Sequence, residues 1–430
     1  MLAKPGQGPV GRLTNRCPLC PSRAATNSSL LRCAGCRAFH YCSREHQVAH
    51  RPKARTKLDQ EDHKVRNATE DFMTPANAFE TCVGRFWGII NTRDYMRARS
   101  WLSHLLLLLG TLDSVREGLD HMRDMLRLCR GDNLGVWEIV LATMLRLDLD
   151  QECYDFVKWW ATCDPDGTYD WGDMSLPYLD LHGDNAFEDP DFLIGKFSSL
   201  NFLIAVLILK LKLLVDIRNL KVTRKIFTIR KILGQTHVPI ELQDQIAQHV
   251  VRSPLSTKLQ EESLASLIKT EMKLIKQIRK IGACVVKNNE YFMFNLFEPD
   301  EALGDSPNHY SKGSWEEMAL AMQYSYATLW ETAGVLDMLN DARACGERDS
   351  ELEIDDWMEN ERARKGRTAT ELLHDLGINR IWGYLEYAVE NASYLGPWSE
   401  RSSEKHTRET REFAREAMES DDELWSDDED

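Results

Sequence analysis

Cys17-Pro-Leu-Cys20 and Cys33-Ala-Gly-Cys36 are two CxxC knuckles, and Tyr41-Cys42-Ser43-Arg44-Glu45-His46-Gln47 follows them closely. A CxxC turn holds two sulfurs near enough to share one tetrahedral ion, and thiolate with imidazole is the donor set that zinc prefers. Six such donors (Cys17, Cys20, Cys33, Cys36, Cys42 and His46) fall within thirty residues. Reduced thiols packed into a small apolar core have no reason to keep that spacing. The stretch from Cys17 to about Leu58 is therefore predicted to be a zinc module, with Zn2+ as its cofactor.

Paired knuckles followed by Tyr-Cys-Ser-x-x-His-Gln resemble the MYND-type finger, a small cross-braced unit built around two zinc ions. The resemblance implies that the first and third ligand pairs share one ion and the second and fourth pairs the other. It implies a complete first site of Cys17, Cys20, Cys42 and His46, and a second site begun by Cys33 and Cys36. The family pattern continues with a His and a Cys where this chain has Ala54 and Leu58, neither of which binds metal; His50 and His63 are the nearby substitutes. Zinc geometry is strict, so the second site is expected to be incomplete. In MYND fingers that take proline-containing peptides, the groove uses the Gln after the sixth ligand and a Trp four residues later. Gln47 matches the first, while Arg51 stands at the second. An Arg stacks and donates hydrogen bonds but does not rebuild an aromatic wall.

Beyond the finger, Phe86-Trp87-Gly88, the run Asn91 to Arg99, the run Asp150 to Lys158 and the run Tyr169 to Met174 resemble a fungal group. That group joins an N-terminal MYND finger to an all-helical body and is often labelled similar to suppressor of anucleate metulae B. The resemblance runs from residue 17 to about 340.

The 430 residues, 43% hydrophobic and 28% charged, suffice for a large buried core with appendages. Cysteines outside the finger (Cys82, Cys129, Cys153, Cys163, Cys284 and Cys345) show no pairing pattern, which suits a reducing compartment. The longest apolar run, Leu200 to Leu209, meets Lys210 and Lys212 well before the ~20 residues that cross a bilayer, and reads as a buried helix. Met1 to Gly11 lacks a charged-then-apolar signal pattern. The expectation is a soluble intracellular protein, in cytoplasm or nucleus, without a membrane partner. The net charge of −15 is uneven: residues 1–66 are rich in Arg and Lys, while Glu416 to Asp430 is acidic and too poor in apolar groups to fold.

The predicted organisation is a flexible leader (1–16), the finger (17–58), a polar linker (59–71), an all-helical body (72–345) and a charged portion (346–430). The last is helical from Ala369 to Ala392 and disordered in its acidic tail. Three- and four-residue apolar spacing predicts helices over Asp94–Leu109 and Leu112–Leu128, split by Gly110-Thr111, and over Leu134–Leu147 and Gln151–Cys163. Asp132 or Asn133 is a suitable N-cap between them. Pairs of roughly forty residues suggest tetratricopeptide-like repeats, with a non-repetitive bundle as the alternative. Asp164 to Pro190 reads as an acidic, aromatic loop packed over the helices; its acids do not follow the EF-hand positions. Further helices are expected over Ser198–Asn219, Gln243–His249, Glu261–Asn288 and Trp315–Ala344, with the Lys- and Glu-laced third of these at the surface. The fold class is mainly α.

Three functional classes compete. A zinc-stabilised finger on a helical scaffold describes a non-enzymatic protein that binds protein partners. A nucleic-acid-binding or transcription-associated regulator would use the basic finger, but the acidity of the whole chain opposes non-specific phosphate binding. A MYND-associated lysine methyltransferase would need a strand-rich SET domain, whose nearest text here, Pro307-Asn-His-Tyr310, lies among helices. Gly6-Gln-Gly8-Pro-Val-Gly11 fits GxGxxG only literally, since no strand precedes it and no helix follows. No small-molecule substrate is indicated.

Overall fold

The structure is a computed structural model that describes residues 13–17, 30–34, 38–49, 54–68, 75–195, 198–234, 251–332 and 334–391, with 412, 413 and 416. The protein is mainly α-helical with a small N-terminal finger. It divides into two compact units, the first chiefly Leu13–Thr143 with Asp166–Tyr178, the second chiefly Met144–Pro165 with Leu179–Ser403.

In the first unit, two-residue strands β1 (Leu31–Arg32) and β2 (His40–Tyr41) pair antiparallel, with Leu31 opposite Tyr41 and Arg32 opposite His40. The Cys33 amide donates to Phe39 O at 2.8 Å and closes the hairpin. Helix α1 (Arg44–Ala49) begins just past Cys42, where Ser43 Oγ accepts the His46 amide at 3.3 Å. Helix α2 (Ala54–Arg66) buries Leu58, Glu61 and Val65, which share one face at three- and four-residue spacing. It packs on α3 (Arg93–Leu109). Most of residues 59–71, expected as a linker, is thus helix: Leu58 and Val65 supply an apolar stripe that a charge count overlooks.

Helices α3 and α4 (Leu112–Leu128) form a hairpin at the expected place. Gly110 adopts φ +60°, the left-handed conformation that ends a helix at little steric cost when no Cβ is present. Thr111 then opens α4 with a reciprocal capping box to Ser114. Helix α5 (Val136–Arg146) is capped by Asp132, which accepts the Trp137 amide at 2.6 Å. The loop segment 166–178 is held to this unit by Arg130, which donates to the carbonyls of Asp173, Met174 and Leu176 and lies over the Tyr178 ring.

In the second unit, α6 (Asp150–Thr162) precedes the 33-residue α7 (Leu200–Ile232). Nearly every side chain of α7 from Leu200 to Leu220 is buried, Lys210 and Lys212 among them at 0% exposure. Lys212 Nζ lies 2.7 Å from both Asp148 Oδ1 and Asp150 Oδ1. Lys210 Nζ donates to Ala186 O at 2.6 Å and Glu188 O at 3.1 Å. Arg146 pairs through two nitrogens with Glu331, at 3.0 and 2.9 Å. Among the described residues no helix is long and apolar enough to cross a membrane.

Helix α8 (Leu264–Asn288), expected at the surface, instead buries Leu267, Leu274, Ile278, Ile281 and Val285 and packs on α7. The Trp315–Ala344 stretch is two helices, α9 (Trp315–Glu331) and α10 (Val335–Ser350), separated near Gly334 at φ +91°. Helix α10 packs on α11 (Ala369–Asn391), so the expected body boundary at 345 falls inside a helix of the core. That crossing needs two glycines: a Cβ on Gly377 would stand 2.9 Å from Arg343 O, and one on Gly346 3.1 Å from Gly377 O. Helix lengths of 11, 13, 33 and 25 residues for α5 to α8 depart from a constant pair length. The expected helix at Gln243–His249 and the acidic run from Ala417 onward lie outside the described residues.

Candidate metal centre

The cap at Ser43 fixes the chemistry of the finger. Because α1 starts immediately after Cys42, His46 falls one helical turn on and returns over the same spot. Its Nδ1 lies 3.1 Å from Cys42 Sγ and 3.6 Å from Cys17 Sγ. The donor atoms of Cys17, Cys42 and His46 all lie within 4.8 Å of one another, and among the described residues this is the one cluster of three or more such groups. Cys17 is 2% exposed, and Phe39 and Tyr41 beside the site are buried with their rings stacked 6.2 Å apart.

These residues fit zinc. Bond lengths of about 2.3 Å to sulfur and 2.05 Å to nitrogen in a tetrahedron separate S and N by ~3.5 Å. The two observed S···N distances bracket that value. Cys20, expected as the fourth donor, lies outside the described residues, as do Cys36, His50 and Arg51.

The second set is different. Cys33 is half-buried, and its Sγ lies 3.5 Å from Gln47 Nε2, which donates to it. Leu58, where the family pattern has a ligand, is 6% exposed on α2 and belongs to the packing. His63 is exposed on α2 and joins no donor cluster among the described residues. Gln47, expected to face a peptide, points its amide at Cys33.

The finger is fastened to the α3–α4 hairpin by residues that composition does not flag. Thr14 O accepts the Leu112 amide at 3.3 Å, Asn15 Oδ1 accepts the Asp113 amide at 2.9 Å, and Arg16 Nη2 donates to Leu109 O at 3.0 Å. Residues 14–16, expected within a flexible leader, thereby satisfy orphan groups at one helix end and the next helix start. Asp113, 7% exposed, takes Arg32 at 3.2 Å and His40 Nε2 at 3.5 Å from the hairpin, and Arg116 at 3.3 Å from its own helix. Arg55 meets Glu117 at 3.4 Å. The sequence signal for Asp113 was only an acid in the first turn of a helix, a common feature with many meanings.

Elsewhere in this unit, His121 is buried. Loss of hydration first, then the nearby Arg99 guanidinium, pushes its pKa down to about 3, so it stays neutral and accepts from Arg99 Nε at 3.1 Å. It is a packed side chain of the α3–α4 hairpin.

No curated protein and no solved structure matches this chain. Residues 15–57 match the model of the MYND finger family, and the clustered Cys17, Cys42 and His46 lie inside that span: the chain carries a zinc-binding finger of the MYND type.

Proposed function

We propose that this protein is a non-enzymatic interaction protein whose MYND finger, closed by one zinc ion on Cys17, Cys20, Cys42 and His46, presents a surface to protein partners. The observation that carries the reading is the convergence of Cys17, Cys42 and His46 within a span matching a protein-interaction module. When bound, zinc supplies a cross-link between the segment that opens the finger and the start of α1, with no chemistry on a substrate. The chain's own residues do the rest. Ser43 sets the helix that aims His46, and Phe39 and Tyr41 are buried with their rings stacked. Asp113 holds the hairpin by Arg32 and His40.

The same contacts weigh against phosphate recognition. Arg32 and Arg55 face acids of their own unit, which leaves less of the finger's positive charge for nucleic acid. Cys33 and Cys36 form an incomplete second site in this reading, with Leu58 contributing packing in place of a ligand.

Zinc per chain, counted by mass spectrometry after mild chelation, tests the metal assignment: one retained ion in the natural protein and none in Cys42→Ala. Two chelator-resistant ions would mean that the second site is rebuilt. For function, affinity purification of intact and Cys42→Ala protein should show a partner set lost with the finger. Methyl transfer from S-adenosylmethionine above a heat-killed control would sink the non-enzymatic reading.

A further inference from the structure

The end of α7 and the start of α8 carry a surface unrelated to the finger. Past Thr223 the α7 side chains leave the core, and Ile226, Ile229 and Leu233 are 42%, 46% and 63% exposed. Their three- and four-residue spacing puts them on one face. On α8, Leu264, Ile268 and Met272 repeat every fourth residue and are 53%, 44% and 45% exposed. Here α8 is two-sided: Leu267, Leu274 and Ile278 fill the core while this second apolar stripe faces outward. The two helices run antiparallel at this point, because Lys221 pairs with Glu271 while Arg224 donates to the carbonyls of Gln260 and Glu262.

Charge around the stripes is mostly positive, the exposed acids Glu261 and Glu262 just ahead of α8 being the exceptions. Residues 221–234 contain Lys221, Arg224, Lys225, Arg230 and Lys231 and no acid. On α8 the one acid, Glu271, is buried against Lys221. Lys225, Arg230 and Lys231 on α7, and Lys269, Lys273 and Lys276 on α8, have no ion pair among the described residues. A chain of net charge −15 thus concentrates cations around exposed Ile, Leu and Met at one place.

We propose that this surface binds an acidic amphipathic segment of a partner protein, its apolar side chains meeting the Ile226/Ile229 and Leu264/Ile268 stripes and its carboxylates meeting the flanking lysines and arginines. Both halves of the surface have a complement in such a segment, as in helix-in-groove recognition. An anionic bilayer offers the same two chemistries, but it is flat and laterally extended and so also meets the exposed acids Glu261 and Glu262 just ahead of α8. A short peptide senses charge only within a Debye length, about 8 Å at physiological salt, and there the sign is positive. The inference goes beyond the finger-based reading and does not depend on zinc.

The test uses the full chain and a fluorescent peptide of about fifteen Glu, Asp and Leu residues with the leucines at helical spacing. The expected result is saturable, salt-sensitive binding. It should weaken about tenfold in Ile229→Ser/Ile268→Ser and about tenfold in Lys269→Glu/Lys273→Glu. These positions are exposed, so circular dichroism should stay unchanged. Absence of binding, or equal affinity for a peptide with scrambled leucines, overturns the proposal. So does tighter binding to phosphatidylserine vesicles than to the peptide, a dimer that Ile229→Ser/Ile268→Ser dissolves, or peptide binding that appears only when residues 416–430 are removed.

Discussion

Lys210 and Lys212 are two positions apart on one helix and meet opposite electrostatic surroundings. Lys212 is buried between two carboxylates, whereas Lys210 is buried against backbone carbonyls and the Tyr154 ring. Lost hydration, reinforced by Lys273, pushes the Lys210 pKa down to about 7. Between that value and the ordinary lysine pKa the unfolded chain holds the proton and the folded chain does not, so stability must rise with pH across this window. The burial penalty is complete below pH 7 and fades toward pH 10. Relative to Lys210→Met, the natural protein should gain about 1.4 kcal/mol per pH unit between pH 7.5 and 9 in urea unfolding. A difference that stays flat with pH would show that Lys210 remains charged. Lys212→Met should instead lose about 3–5 kcal/mol at pH 7, since it strands buried carboxylates. Adding Asp150→Asn should recover part of that loss, and a single-variant loss below about 1 kcal/mol would contradict the pairing. From sequence these lysines could only interrupt an apolar run, because their partners are distant in the chain.

At the scale of elements, glycines on one helix have opposite expected effects. A Cβ on Gly383 of α11 would meet nothing within 4 Å, while a Cβ on Gly377 meets α10 backbone at 2.9 Å. Gly383→Ala should stabilise by roughly 0.5–1 kcal/mol, the ordinary helix gain. Gly377→Ala should cost about 1–3 kcal/mol through overpacking. Equal melting shifts for the two would mean that α10 and α11 do not cross there. Asp113 links two elements in another way. Asp113→Ala leaves Arg32 and His40 without their shared carboxylate, and the finger should release zinc to a colorimetric chelator several-fold faster while helical circular dichroism stays near its natural value. Unchanged release would show that Asp113 does not hold the finger's metal site in place. The α3–α4 hairpin could be read in advance because Gly110-Thr111 is local chemistry. The outward and inward faces of α8 could not, since Lys and Glu at helical spacing describe a solvated face whether or not the opposite face is buried.

For the molecule as a whole, chelation should remove zinc and loosen the finger while most helical signal survives. Helices α3 to α11 lie outside residues 15–57, and among the described residues the finger span contains only α1 and the start of α2. A collapse of the bulk helical signal on chelation would show that the metal supports the body's core. The sequence by itself determined the finger, because zinc ligation depends on residue types at short spacing, and it determined that long helices follow, because apolar periodicity is local. It also put Ala54 and Leu58 where the resemblance has a His and a Cys. Only the tertiary structure decided that residues 14–16 and Asp113 tie the finger to a helical hairpin. The same holds for the buried lysines of α7, which find partners from Leu145 to Glu188, and for α10, which continues the core through two facing glycines. Each of these depends on which distant groups meet in space, and pairing at long range is set by burial and packing of the whole chain rather than by any short run of residues.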